Sequence, residues 1–443
     1  MKYFCLEWKY LYICGVKILM PMLTKDQIMR VMLNQHSVPH EMGMPRNIDD
    51  KWMKTKQVVV ISGVRRCGKS YLLRQIREKC AEKDYYMRFD DDRLINFSVE
   101  DFETLDACFA EVYGLQHTYF FDEIQNVAGW ELYVRRLYNQ GAKVFITGSN
   151  AKMLSREMGT HLSGIHLPIE LYPFSFAEYL QLRDIQVGKT DFYTTQGTAM
   201  LVRELKSYIQ TGGFPAYLEG ESDDYISSLY QSIIYKDVLM RNNISNGREV
   251  LELMHFLANN AAKRHSYMSL ARVVGVKHSD TIKNYVQCLE ETYLLAQLMK
   301  YSHSVKSQEG SIKKMYLIDN AIIKVVGFNP TDNIGPLLEN MIFIELKRRG
   351  LDIFYHDDAK ECDFVVREGM RIVQCIQVTV SIADERTRKR ELDGLLDAAK
   401  TYGTTDNLII TLDDDGIQLD AENVRVIPAW KFLLENQING NHC

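Results

Sequence analysis

Eight consecutive residues, Gly63-Val64-Arg65-Arg66-Cys67-Gly68-Lys69-Ser70, constrain this chain more tightly than any other stretch. They match the pattern GxxxxGK followed by Ser or Thr at every fixed position. A β-branched run at 57–63 (QVVVISG) precedes them, and a helical pattern over 70–81 follows, so the loop joins a buried strand to a helix. Glycines at 63 and 68 let the backbone wrap an anion, with amide N–H groups and the helix N-terminus all facing it. In this reading Val64, Arg65, Arg66, Cys67 and Tyr71 belong to the same binding segment, with Cys67 a small filler whose side chain points away. Lys69 supplies a point charge to β and γ phosphates, and the Ser70 hydroxyl is a ligand for Mg²⁺.

The surrounding pattern agrees. Apolar strands are expected at 85–89, 118–122, 144–147 and 165–171, separated by helices at 99–112 and 130–140. Strands alternating with helices imply βαβ units and a parallel sheet covered on both faces. The strand at 118–122 (TYFFD) ends in Asp122-Glu123, with Asp122 53 residues after Lys69. Asp122 at the strand tip is expected to hold the Mg²⁺ shell, and Glu123 to polarise an attacking water as general base. The strand at 144–147 runs into Gly148-Ser149-Asn150, where Ser149 or Asn150 is placed to hydrogen-bond the γ-phosphate or the water.

Beyond Tyr172-Pro173-Phe174 the next ~75 residues read mostly as helix, with a helix-breaking turn at Gly212-Gly213-Phe214-Pro215. Residues 269–291 have helix–turn–helix spacing, with Gly275 in the turn and Ile282, Val286 and Leu289 on a core face. Nine Lys or Arg against four Asp or Glu over 263–317 make this stretch +5 in a chain of net charge −5. Lys277, His278, Lys283 and Asn284 would lie at the start of the second helix, the part that enters a DNA groove. A protein-contact role with a solvated basic face stays open beside the DNA one. Further on come a helix from 334 onward (LLENMIFIELKRRG, 337–350), strands at 352–355, 362–366 and 372–380, a helix at 388–402 and a strand at 408–412.

Composition excludes several classes. With 46% hydrophobic and 25% charged residues the chain is ordinary globular material. Its nine scattered cysteines contain no CxxC pair, which fits a reducing cytosol rather than a disulfide or zinc framework. The eleven histidines show no HExxH pattern. Near the start, Glu7, Lys9 and Lys17 interrupt the apolar run, so no membrane span is expected. Residues 1–24 read as an extension, with translation start at Met20 or Met22 as one reading, ahead of an amphipathic helix beginning near MLTKDQ.

Several ordered segments carry a resemblance over residues 25–435: VVISGVRRCGKSYLL, TYFFDEIQNVAGW, VFITGSNAKM, LYPFSF, GGFPAYL, IIYKDVLMRN, KMYLIDNAI, ENMIFIELKRRG, ECDFVV and IQVTVSI. Together they resemble bacterial and archaeal AAA-type ATPases of the additional-strand P-loop class with a C-terminal domain of unknown function. The resemblance implies an additional-strand P-loop NTPase sheet at 25–180, a helical lid or linker at 181–249, a winged-helix domain at 250–330, and a restriction-endonuclease-like domain of the PD-(D/E)xK type at 331–443. It implies ATP and Mg²⁺ as cofactors, with DNA, a protein partner or further copies of the chain as partners. Two departures matter. Ile165 stands where relatives carry Arg, leaving Arg156 as the nearest substitute for an arginine finger, so slow unassisted hydrolysis is expected. In the C-terminal domain Glu339 (or Glu345), Asp363 and Gln377-Val378-Thr379 occupy the nuclease order, but Thr379 replaces the lysine and Gln377 a carboxylate, so the nuclease is expected to be inactive. Three functions stay open: an ATPase that drives a DNA- or protein-binding platform, a nucleotide-regulated DNA-binding module with little hydrolysis, and an ATPase-coupled nuclease.

Overall fold

Val58–Ser62, the strand that enters the loop, is buried at every residue, which suits the centre of a parallel sheet covered on both faces. In the computed structural model the described residues are 23–39, 41–149, 162, 164–302, 304, 308, 310–327, 333–414, 417, 419, 421 and 423–438, with backbone alone at 6–7, 10–13, 16–19 and 436–438. By contact the chain divides into two units, one of residues 1–62 and 69–170, the other of 63–68 and 171–443.

The first unit holds a five-stranded sheet in the order Tyr85–Arg88, Thr118–Asp122, Lys143–Gly148, Val58–Ser62, His166–Glu170. Every pairing is parallel. One strand, Lys143–Gly148, therefore lies between the strand entering the loop and the strand ending in the acidic pair. Helices Lys69–Lys79, Asp101–Tyr113 and Trp130–Asn139 connect the strands. Their apolar faces fill the core, where Phe102 stacks on Tyr133 with centroids 4.0 Å apart. The expected amphipathic helix near the start is Lys25–Ser37, capped by a reciprocal Thr24–Gln27 box. Ahead of it three short strands, Leu6–Glu7, Tyr10–Ile13 and Val16–Leu19, pair antiparallel. Among the described residues no helix is long and apolar enough to cross a membrane.

The second unit begins with helices Phe176–Leu182, Thr195–Thr211 and Asp223–Ser232, the last running directly into a wide π-type helix, Ile233–Met240. Next come helix Gly247–Asn259, strand Arg264–His265, helices Tyr267–Val274 and Ser279–Glu291, and strands Leu295–Met299 and Lys313–Leu317. The three strands form an antiparallel sheet with Lys313–Leu317 in the middle. By its residues alone 250–317 reads as helices followed by a polar, Ser-rich turn region, a pattern in which these strands do not show. A mixed five-stranded sheet follows, in chain order Asp352–Asp357, Glu361–Glu368, Arg371–Val378, Asp406–Thr411 and Val424–Pro428. Its first three strands are antiparallel and its last two pairings parallel, with Glu385–Tyr402 as the crossover helix.

The turn at Gly212-Gly213-Phe214-Pro215 does more than end a helix. Gly212 has φ +69°, and a Cβ there would stand 1.8 Å from Asp319 Oδ1. The Gly213 N–H donates to Asp319 Oδ2 at 2.7 Å, and its carbonyl accepts from the Phe174 N–H at 2.7 Å. Asp319 also caps helix Asn320–Val326 through the Ala321 N–H at 2.8 Å. Three segments distant in sequence are thus joined at one carboxylate, and burial pushes that carboxyl up to about 6.

Candidate functional site

The loop begins where Val58–Ser62 ends and runs into helix Lys69–Lys79. Its backbone needs glycine at two points. A Cβ on Gly63 would lie 2.1 Å from the Leu171 carbonyl oxygen, and Gly68 has φ +103°. Between them Arg66 is also left-handed, at φ +68°, with its side chain exposed. Val64 and Cys67 are fully buried. Arg65 turns to Asp237 and makes two bonds of 3.0 Å. The Tyr71 ring packs at the place of a Gly43 Cβ and under the Arg74 guanidinium.

In the first unit, the carboxyl ends of the central strands gather the rest. The Ser70 hydroxyl donates to Asp122 Oδ1 at 3.0 Å, and the Thr147 hydroxyl donates to the same oxygen at 2.5 Å. Thr147 Oγ1 in turn accepts the Glu123 N–H at 2.9 Å. Lys69, 4% exposed, has its ammonium 3.9 Å from Glu123 Oε1. Glu123 itself is left-handed, φ +52° and ψ +43°, a conformation that costs a non-glycine residue energy and clusters at working sites. Gln125 Nε2 donates to Glu123 Oε2 and lies 3.4 Å from Ser149 Oγ. Asn150 and Arg156 lie outside the described residues. Ile165, at the position where an arginine was sought, packs against the apolar core.

Asp122 is 1% exposed, and its Oδ2 has no hydrogen-bond partner among the described residues. Burial, then the adjacent Glu123 charge, raises its carboxyl above the usual range, opposed by the Thr147 and Ser70 hydroxyls. An orphaned carboxylate oxygen beside a serine hydroxyl is a donor set that fits Mg²⁺, which takes one or two protein oxygens and completes its shell with phosphate and water. Thr147 and Gln125 were missed as functional residues. Their only sequence signals were a Thr at a strand tip and a Gln two residues past the acidic pair.

A second acidic group lies in the other unit. Glu339 and Asp363 both pair with one buried lysine there, whereas Glu345 is taken by Arg348 at 2.7 Å and Arg349 at 2.9 Å. The cation among the acids is Lys314, 2% exposed, at 2.7 Å from Asp363, 2.9 Å from Glu361 and 3.0 Å from Glu339. Burial pulls the Lys314 ammonium down, but Asp363 and then Glu339 outweigh it and hold its pKa well above the usual range. Gln377 donates to Glu391 at 2.6 Å and accepts the Asp363 N–H at 3.2 Å. Every acidic position of the nuclease order is thereby engaged within the protein. No cluster of three metal-ligating side chains occurs among the described residues.

The same contacts change the meaning of the +5 stretch. Arg264 pairs with Asp357 at 2.5 Å, Lys300 with Asp358 at 2.8 Å, and Lys314 with the cluster above. Lys313 is buried 5.1 Å over the Tyr267 ring. Charges of the C-terminal sheet therefore offset much of the basic count. Lys277, His278, Lys283 and Asn284 remain exposed, on the turn and first part of helix Ser279–Glu291.

Residues 55–180 match the family described as AAA domain, and residues 202–332 match a domain of unknown function (DUF8612). An uncharacterized protein of Methanocaldococcus jannaschii is 33% identical over 413 residues, covering 88% of this chain and 90% of that one. An uncharacterized protein of Haemophilus influenzae is 29% identical over 402 residues, covering 86% and 95%. A Thermotoga maritima RuvB variant of known structure is 14% identical with a TM-score of 0.23, covering 54% of this chain and 82% of its own. Cdc6p from Pyrobaculum aerophilum is 10% identical with a TM-score of 0.23, covering 68% and 92%. Superpositions this loose carry no argument about this chain. The sequence identity does: the chain belongs to the family of the Methanocaldococcus jannaschii protein, and its residues 55–180 are an AAA-type P-loop domain followed by a domain of unknown function at 202–332.

Proposed function

We propose that this protein binds and slowly hydrolyses MgATP, and that the nucleotide cycle switches a DNA-binding surface. The observation that carries the first half is the convergence of Lys69, Ser70, Asp122 and Glu123 with Thr147 at the ends of neighbouring strands, directly after a glycine loop. Lys69 would contact the β and γ phosphates. Ser70 and Asp122 would hold Mg²⁺, which when bound neutralises charge on the phosphoryl group. Glu123, its backbone held by Thr147, would accept a proton from the attacking water. With apolar Ile165 in place of an arginine, steady-state turnover of many per second by the purified chain would contradict this reading. Equilibrium titration with a fluorescent ATP analogue and Mg²⁺ tests it: saturable binding is expected from wild type and at least ~100-fold weaker binding from Lys69→Ala, a loss on the order of 3 kcal/mol.

The second half rests on the order helix, strand, two helices, two strands over 247–317, which we read as a winged helix, with four polar groups exposed around the start of helix Ser279–Glu291. Labelled duplex DNA followed by anisotropy across a salt series is the test. Replacing Lys277 and Lys283 by Ala is expected to weaken binding and to reduce the slope of log K against log salt by about 2. No binding at low salt would remove DNA and leave the protein-contact role. A nuclease is disfavoured because Lys314 already neutralises the acids a metal would need, so no Mg²⁺-dependent nicking is expected.

A further inference from the structure

The Arg65 side chain is not aimed at the anion position of its own loop. Its Nε and Nη2 bond separately to Asp237 Oδ2 and Oδ1, both at 3.0 Å, a fork-to-carboxylate pair that fixes orientation as well as charge. Asp237 is 4% exposed and shares Oδ1 with Arg241 at 3.4 Å. It sits in Ile233–Met240, whose i→i+5 bonding is rare in proteins and is frequently found at functional sites. The contacts continue from that helix. Leu239 fills the place of a side chain on Gly247, where a Cβ would lie 2.6 Å from Leu239 Cδ1. Gly247 opens helix Gly247–Asn259, and in its first turn Glu249 accepts the Tyr285 hydroxyl at 2.6 Å. Tyr285 belongs to Ser279–Glu291, the helix that carries Lys283 and Asn284.

We propose that Asp237 is a positioning residue for the phosphate loop and the first link by which nucleotide occupancy reaches helix Ser279–Glu291. The proposal rests on the MgATP reading of the loop and adds its route of control. When a phosphate chain draws the loop backbone around itself, Arg65 moves with the loop. The two-point bond transmits that movement to the wide helix, whose non-α bonding gives it an alternative register close in energy. Leu239 against Gly247, and then Glu249 with Tyr285, carry it to the exposed basic residues. Coupling of this kind is reciprocal and commonly amounts to a factor of 5 or more.

Hydrogen–deuterium exchange on the full chain, with and without MgADP, tests the route without DNA and without turnover. Wild type is expected to show exchange slowed by about fivefold or more at 63–70, 233–240 and 279–291. Asp237→Asn is expected to keep the change at 63–70 and lose it at the two helices, and Asp237→Glu to restore part of it. Tyr285→Phe keeps the buried ring and removes only the hydroxyl, so it should keep the change at 233–240 and lose it at 279–291. Protection at 63–70 in wild type with neither helix responding would overturn this route while leaving nucleotide binding intact. Helix responses that persist in Asp237→Asn would overturn it as well. No change at 63–70 would instead refute the nucleotide reading, and this proposal with it.

Discussion

Replacing Glu123 by Gln is expected to slow ATP hydrolysis by about 10²- to 10⁴-fold while leaving ATP affinity within a few-fold of wild type. Gln keeps the size of the side chain and an oxygen that can still accept from Gln125. The backbone bond from Glu123 N–H to Thr147 is untouched by the change. What disappears is the basic carboxylate. A change in general-base strength acts on the transition state and not on ground-state binding, so the rate falls and the dissociation constant does not. Rapid-quench measurement of phosphate formation, paired with an ATP-analogue titration, separates the two quantities. An unchanged rate would remove Glu123 as the base. A parallel loss of affinity would mean that Glu123 chiefly positions Lys69, whose ammonium stands 3.9 Å away.

Lys314→Met is expected to destabilise the second unit by about 3–5 kcal/mol, because it leaves the buried Glu339 and Asp363 without their counter-charge. Glu339, Asp363 and Glu361 all lie within 3.0 Å of the Lys314 ammonium. Burial and the neighbouring Asp363 already raise the Glu339 carboxyl, opposed by Lys314 and the Tyr316 hydroxyl, so loss of the ammonium should drive it further toward the neutral form. Adding Glu339→Gln to Lys314→Met should recover part of the loss, since one fewer acid then needs a counter-charge. Urea unfolding followed by circular dichroism measures both. A midpoint for Lys314→Met equal to wild type would show that the cluster does not depend on its lysine.

How far the sequence speaks depends on whether a feature is local. The phosphate loop and the acidic strand are local, and the strand is found at Thr118–Asp122, the residues expected. Strand order is not local: that Lys143–Gly148 separates the two could be expected only through resemblance. This adjacency brings Thr147 against Asp122, and the left-handed turn at Glu123 brings Gln125 back onto it, so neither contact was visible beforehand. Lys314 illustrates the same limit, since its partners lie 25 to 49 residues further along the chain. Counting charge over 263–317 likewise ignored the carboxylates of the C-terminal sheet that pair with Arg264, Lys300 and Lys314. Val424–Pro428 went unread because a short edge strand ending in proline carries little of the usual strand pattern.

One measurement bears most directly on the central claim: a single-turnover assay with the full chain in excess over trace MgATP labelled at the γ-phosphate. Conversion of the trace ATP to ADP and phosphate by wild type is expected, with Glu123→Gln holding the label as bound ATP and Lys69→Ala showing neither binding nor conversion. ATP recovered intact from wild type, or converted equally well by Lys69→Ala, would contradict the account.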